Sequence, residues 1–383
     1  MLNQGQNPGV KVVSWHIGKA DMRAARYEGS TPSRIVVRGV NWVGDTIMSL
    51  PAARALRRLF PAAHIVFWVP ANLEPLLRLT EVPDEIIVFK KNEGGSFKRT
   101  FMMKDRLQKG HFDMAVLFQN AFECAFTAWM AGIKLRVGYP TDLRGALLNI
   151  KAPLIPSILL GHQVFYYLEI VKYLDSYFGF GRFQYFGKPD CSIKLRAREV
   201  DQARDIILEA GADPKTPFVC LCPGSVNSEA KRWPREHYAV LADILIERAG
   251  LQIIFLGATQ EADLIDSIIG EMKQGPAFNL AAKSSIVSSL GIMGMSSLVI
   301  SNDTGSAHLA VAAGAKCLTI FGPTIAGATA PFGNRTFIIQ GKAECAPCND
   351  HNCRFHGHPC MKGLSPELVA RKALEIVALH PSV

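Results

Sequence analysis

One carboxylate, one lysine and one run of small polar residues, each set just behind an apolar segment, are the groups in this 383-residue chain best placed to do chemistry. Asp45 lies in GVNWVGDTIM (39–48), which follows the apolar Ile35, Val36 and Val37. A carboxylate at the mouth of a helix reads in two ways: as a cap favoured by the helix dipole, or as a base facing a ligand. Gly39 and Gly44 would let the backbone approach that ligand. Pro51 requires the helix proper to begin a few residues after Asp45, or its first turn to be bent. In CPGSVNSEAKRWP (222–234), Ser225 and other small residues accompany Lys231 and Arg232. Free N–H groups and a cation are what a diphosphate requires, although a Lys-Arg pair is also an ordinary solvated surface. In SNDTGSAHLAVAAG (301–314), Thr304 and Gly305 present N–H groups at a helix start, an anion site by construction. Asp303 there would repel phosphate but suits sugar hydroxyls, and His308 reads equally as a ligand contact or an internal hydrogen-bonding group.

The opening loop is neither of the common nucleotide fingerprints. Four residues separate Gly39 from Gly44 and a third glycine is missing, which departs from the dinucleotide-binding pattern, and no Lys-Ser/Thr pair follows as a P-loop needs. Hydride transfer is disfavoured at its most diagnostic position.

Loops of this kind need strands that end beside one another. Short apolar runs at 35–37, 65–69, 85–89 and 114–118 predict buried strands, with helical spacing between them as in Met48, Ala52, Ala55 and Leu59. A second series follows at 218–222, 252–256, 298–301 and 317–321. Alternating strands and helices imply parallel sheets covered on both faces, and two such units leave a cleft between them. The expected division is an extension over 1–33, loosely ordered, a first unit over 34–185 and a second over 186–383. The joint falls within FGFGRFQYFGKPD (178–190), where glycine, proline and aromatics break the periodicity. Open sheets of this class bind ligands at the carboxyl ends of their strands, where all three loops sit.

The composition fits: 49% hydrophobic, 20% charged, with no apolar run near the ~18 residues of a membrane span. The N-terminus lacks the apolar core of a secretory signal, so a cytoplasmic location is expected. Nine cysteines, an odd number, agree with a reducing compartment. The net charge of +9 is concentrated at the front, where residues 1–60 hold nine Lys or Arg against three acids, and it reads either as a solvated surface or as attraction to an anionic partner. A nucleic-acid-binding protein, built on that charge and a knuckle-like cysteine loop, is a distant alternative; no nucleic-acid partner is expected, because the chain shows no aromatic-basic stacking platform and no helix-turn-helix pattern.

Together the loops resemble the ADP-heptose:lipopolysaccharide heptosyltransferases, glycosyltransferase family nine. The resemblance runs from about Arg34 to the C-terminus through NWVGDTIMSLPAARALR, FQNAFECA, AGIKLRVGY, CPGS…AKRWP, LGATQEAD and SNDTGSAHLA, in that order. It implies a GT-B fold of two Rossmann-like domains, the first holding the acceptor and the second the nucleotide sugar. It implies an inverting reaction without a catalytic metal or other cofactor, ADP-heptose as donor and the lipopolysaccharide inner core as acceptor. Work at the cytoplasmic face of the inner membrane follows, through peripheral contact by the basic first domain.

By the same resemblance Asp45 is the general base. Lys231 and the helix start at Thr304 and Gly305 compensate the departing diphosphate, with Ser225 beside them. Glu261 holds the nucleotide ribose, although it also reads as a first-turn helix acid, while Asp303 and His308 make sugar-side and phosphate-side contacts. Asn120 and Arg144 line the acceptor half. Trp42 reads as a platform for a sugar face or as core packing. Arg54, Arg57 and Arg58 share one helix face and read as phosphate contacts or as complements to the helix dipole.

CAPCNDHNCRFHGHPC (345–360) stands apart. Cys345, Cys348, Cys353 and His358 have nearly a zinc-knuckle spacing, with Cys360 spare. A reduced, loop-stabilising cluster is preferred over a structural zinc, and the loop's distance from the three site loops along the sequence argues against a catalytic metal. The last helix, 366–379, is expected to pack across the domain junction.

Overall fold

The computed structural model describes residues 27–90, 96–183, 189–226, 228–355 and 357–379. Six strands form the first sheet: β1 (Arg34–Arg38), β2 (His64–Pro70), β3 (Glu85–Phe89), β4 (Met114–Leu117), β5 (Leu135–Gly138) and β6 (Ile150–Lys151). They lie in the order β3-β2-β1-β4-β5-β6, with every pair parallel. The second sheet holds β7 (Phe218–Cys222), β8 (Gln252–Phe255), β9 (Ala277–Asn279), β10 (Leu298–Asn302), β11 (Cys317–Phe321) and β12 (Thr336–Gln340). Its order, β12-β11-β10-β7-β8-β9, is the same doubly wound arrangement, again all parallel. The central strands are buried on both faces, which is why they read as unbroken apolar runs rather than alternating ones. Four strands go beyond those the sequence predicts: β5, β6, β9 and β12. They are short or lie toward the sheet margins, where half-exposed residues such as Arg136 and Thr336 blur the pattern.

Three local expectations change. The helix Val43–Leu59 starts before Asp45 and runs through Pro51, so Pro51 sits in the helix interior and deprives the Ile47 carbonyl of its usual donor. Residues 27–33, read as part of a loose extension, are held in place. The Tyr27 N–H donates to the Tyr177 carbonyl (3.0 Å), its ring packs on Tyr177 and Phe178, and Ser33 donates to Asp113. Residues 1–26 lie outside the described residues. The last helix, Pro366–Leu379, packs on Arg235–Ala249 and β10 within the second unit rather than across the junction.

The two units meet through helices. Val43–Leu59 packs against Gln163–Phe178 on its own side and against Gly305–Ala312 of the second unit. One apolar cluster consequently continues from Ile35, Ile47 and Leu50 into Ala307 and Ala310. Arg54 adds a polar tie, donating to the Asp190 carbonyl (2.7 Å) and to the Ser192 carbonyl.

Candidate active site

Two helix N-termini converge where the units touch. Val43 of the first helix lies against Gly305 of the second, and the His308 ring lies against Gly44. A Cβ on Gly44 would come within 2.8 Å of His308 Cδ2, so this glycine admits a neighbouring side chain rather than a ligand. Neither helix is capped by a side chain: Trp42 and Thr304 are the N-cap residues and neither makes a side-chain cap bond. Two positive helix ends brought together are an unfavourable pair unless anions sit beside them. Asp45 and Asp303 are the anions this chain supplies.

Asp45 is the third residue of its helix, inside the first turn rather than at the cap. Partial burial raises its carboxyl to about 6, Lys231 opposes that rise, and Asp303 adds to it. Those two partners belong to the other unit, so the side chain is turned toward the second domain. Tyr167, buried in the helix Gln163–Phe178, feels the Asp45 charge, and burial with that charge drives its phenol well above the ordinary tyrosine range. A carboxyl group raised toward neutrality, within the field of a lysine and in the first turn of a helix, can act as a general base.

Lys231 and Asp303 are joined. The Lys231 ammonium donates to Asp303 Oδ2 at 2.7 Å and to the Asp303 carbonyl at 3.3 Å, and Thr324 Oγ1 donates to the same Oδ2 at 2.7 Å. Asp303 is only 4% exposed, whereas Lys231 keeps an open side. Thr324, in the Gly-Pro turn after β11, is a residue the sequence reading passes over, and so is Asn302 at the end of β10. Buried Asn302 donates to the Pro223 carbonyl (2.7 Å) and accepts from the Trp233 N–H (3.2 Å) and the Tyr238 hydroxyl (3.1 Å). It therefore locks the 222–234 loop to the 301–305 loop. Ser225 is buried, and its carbonyl accepts two bonds from Arg232 (3.2 and 3.0 Å), so Arg232 is a brace and not a solvated charge.

His308 is buried, and burial pushes its imidazole down to about 4, which leaves it neutral at physiological pH. Its Nδ1 has no partner among the described residues. It can offer a hydrogen bond but not a positive charge. Glu261 is buried against the Pro223–Ser225 turn: a Cβ on Gly224 would overlap its carboxylate, and Oε2 accepts the Ala258 N–H at 2.8 Å. The first-turn capping role is thus present in the structure, on the same loop-facing side chain expected to meet a ribose.

On the first unit, Trp42 is 47% exposed, which removes core packing as its explanation. Asn120 is half-buried; its amide donates to the Tyr166 hydroxyl (2.7 Å) and its oxygen accepts from Arg144 (2.9 Å). Arg144 occupies a different place from the ligand-lining one expected of it. It is 0% exposed and donates to the Tyr139 carbonyl (2.9 Å), the Gln119 carbonyl and Asn120, so it fixes Asn120 from behind. Arg54 and Arg57 are likewise spent on the protein, Arg57 on the Ala63 carbonyl (2.7 Å) and Asp84 (2.5 Å), while Arg58 is exposed.

The Cys-rich loop, far from the 222–234 loop in sequence, touches it in the fold. The His351 carbonyl accepts from the Ala230 N–H (3.0 Å) and Ser228 Oγ (3.0 Å), and His358 Nε2 meets the Ala230 carbonyl at 2.6 Å. Ala230 immediately precedes Lys231, so the loop braces the lysine. Cys345, Cys348, Cys353 and Cys360 are free thiols, and among the described residues no group of three or more His, Cys, Asp or Glu is placed to hold a metal ion.

Comparison with known proteins assigns this arrangement to a family. The sequence profile described as glycosyltransferase family 9 (heptosyltransferase) matches residues 100–358. The chain belongs to glycosyltransferase family 9. Among curated family members, it is 28% identical to lipooligosaccharide heptosyltransferase 2 of Haemophilus ducreyi, over 80% of this chain and 88% of that one. It is 26% identical to lipopolysaccharide heptosyltransferase 2 of Escherichia coli, again over 80% and 88%. The solved structure of the E. coli ADP-heptose lps heptosyltransferase II superposes with a TM-score of 0.76 at 23% identity, covering 91% of this chain and all of that one. The fold of this family-9 glycosyltransferase is accordingly GT-B.

Proposed function

We propose that this family-9 glycosyltransferase moves L-glycero-D-manno-heptose from ADP-heptose to the inner core of lipopolysaccharide, with inversion at the anomeric carbon, in the manner of a heptosyltransferase II. The observation that carries the reading is that Asp45, raised to about 6, lies within the electrostatic reach of Lys231 and Asp303 of the second unit, which are themselves joined at 2.7 Å. In the proposed step, Asp45 takes the proton of the acceptor hydroxyl as its oxygen bonds to C1 of the heptose, and the bond from C1 to the ADP oxygen breaks on the opposite face. The charge gathering on ADP falls to Lys231 and to the open N–H groups at Thr304 and Gly305, with a hydrogen bond from neutral His308. With that compensation in place, the reaction needs neither a metal nor another cofactor. Ser225 and Glu261 serve the nucleotide, Asp303 the heptose hydroxyls, and Trp42 and Asn120 the acceptor. The acceptor is lipid-borne, so the enzyme works at the cytoplasmic face of the inner membrane as a peripheral protein.

The test is a transfer assay with ADP-heptose set against UDP- and GDP-sugars on a heptose-deficient core acceptor, with the product's anomeric configuration read by NMR. Transfer restricted to ADP-heptose with an inverted linkage supports the reading, and a preference for another nucleotide or a retained configuration rejects it. The pH profile is a second check. A base must be ionised to work, so kcat/KM should fall about tenfold per unit as pH drops below about 6, and level off above it, until another group titrates. A flat profile from pH 5 to 7 would remove Asp45 from the role.

A further inference from the structure

Two neighbouring helices of the first unit carry an apolar surface that none of the described residues covers. In Ser96–Lys109, the residues Thr100, Met103 and Leu107 are buried, while Lys98, Phe101, Met102, Asp105, Arg106 and Lys109 form one exposed stripe at three- and four-residue spacing. Phe101 is 56% exposed and Met102 39%. In Phe122–Met130, the residues Phe122, Phe126 and Trp129 share one face and stack as a ladder, with ring centroids 5.8 and 5.9 Å apart and planes within 18° and 27° of parallel. Phe122 is 46% exposed and Trp129 51%. Glu123 fastens the helices together, accepting from Arg99 (3.2 Å) and Thr100 (3.2 Å). The helix Ser96–Lys109 holds five Lys or Arg and one acid, Asp105, which is itself paired with Lys104 at 3.1 Å.

We propose that this surface docks the enzyme on an anionic lipid bilayer. Aromatic rings flanked by lysine and arginine are the side chains that settle at a headgroup boundary, the rings entering it and the cations meeting lipid phosphates. Charge decides the occupant. The stripe is basic on a chain of net charge +9, which sets a negatively charged surface against it and disfavours a second copy of the same basic face. Among the described residues no helix is long and apolar enough to cross a membrane, so attachment through these helices is by surface contact. The ladder also begins two residues after Asn120, which the proposed function assigns to the acceptor. The inference rests on the proposed function only in that the acceptor is lipid-borne.

Vesicle flotation of the full chain tests it, using phosphatidylglycerol mixed into phosphatidylethanolamine against phosphatidylcholine alone. The wild type should float with the anionic vesicles and stay behind with the neutral ones. The double variant Phe122→Ser/Trp129→Ser should lose tenfold or more of the bound fraction, and so should Lys98→Glu/Lys109→Glu, each with an unchanged melting temperature. Transfer to a soluble, delipidated acceptor, measured in parallel, should be the same in all three proteins. Loss of flotation with soluble transfer intact supports the docking surface. Flotation of both variants equal to wild type, or no flotation of the wild type, overturns it. So does a dimer that the Phe122→Ser/Trp129→Ser change dissociates without altering flotation. Vesicle binding by this face in an enzyme that fails to use ADP-heptose would reject the proposed function and leave the surface standing.

Discussion

Asp45→Asn is expected to reduce transfer by about a thousandfold or more, while binding of ADP-heptose changes little. The amide keeps the shape of the carboxylate and its place in the first helical turn, so what it loses is the ability to accept the acceptor's proton. Stability supplies an independent readout, and its sign is opposite. The carboxyl titrates at about 6 in the folded chain against 3.8 as its ordinary value. Between those values the folded state holds the proton more tightly than the unfolded state, so stability falls as pH rises through that window and stays reduced above it. An asparagine carries no such penalty. The variant should therefore melt higher than wild type at pH 7.5, and the advantage should shrink below pH 4. An inactive variant that melts lower would indicate damage to the fold, and substantial residual turnover would falsify the assignment of the base.

Lys231→Ala should lower kcat by about a hundred- to a thousandfold, the scale seen when one preorganised group that stabilises developing charge is removed. The pH profile should separate this loss from simple misfolding. Lys231 holds the Asp45 carboxyl down, so without it the acid limb of kcat/KM should move above about 6. A variant whose activity drops while the limb stays in place would mean that Lys231 does not face Asp45 in the working enzyme. Because the ammonium is also the partner of buried Asp303, some loss of stability should accompany the change. Lys231→Arg should restore charge and stability more fully than turnover, since a planar guanidinium cannot reproduce the point contact.

The loops at Asp45, Lys231 and Asp303 could be located in the sequence because each follows a strand end and leads into a helix, even though a helix cap or a solvated surface also accounts for Asp45 and Lys231 taken singly. β1, β2 and β10 were legible because strands buried on both faces leave unbroken apolar runs. What escaped was of another kind. Arg144 and Arg54 bond mainly to backbone carbonyls, which exist at every position and leave no mark in side-chain types. The brace from His351 and His358 onto Ala230 joins segments more than a hundred residues apart, so spacing along the chain gives no sign of it. Gly44 announced a close approach, expected of a ligand, but what approaches is His308 of the other domain. Thr324 and Asn302 act through a single side chain each, in a turn and at a strand end that many folds would fill with similar residues.

The bond between Lys231 and Asp303 gives the lysine a built-in counterion, and this bears on how a turnover would end. Under the proposed reaction, an arriving nucleotide sugar can take the ammonium because its own heptose gives Asp303 new hydrogen-bond donors in exchange. After transfer those hydroxyls belong to the lengthened core, and Asp303 is again left wanting a cation. Under that reaction, spent ADP would compete with an aspartate 2.7 Å from the same nitrogen, a competition that favours release of product.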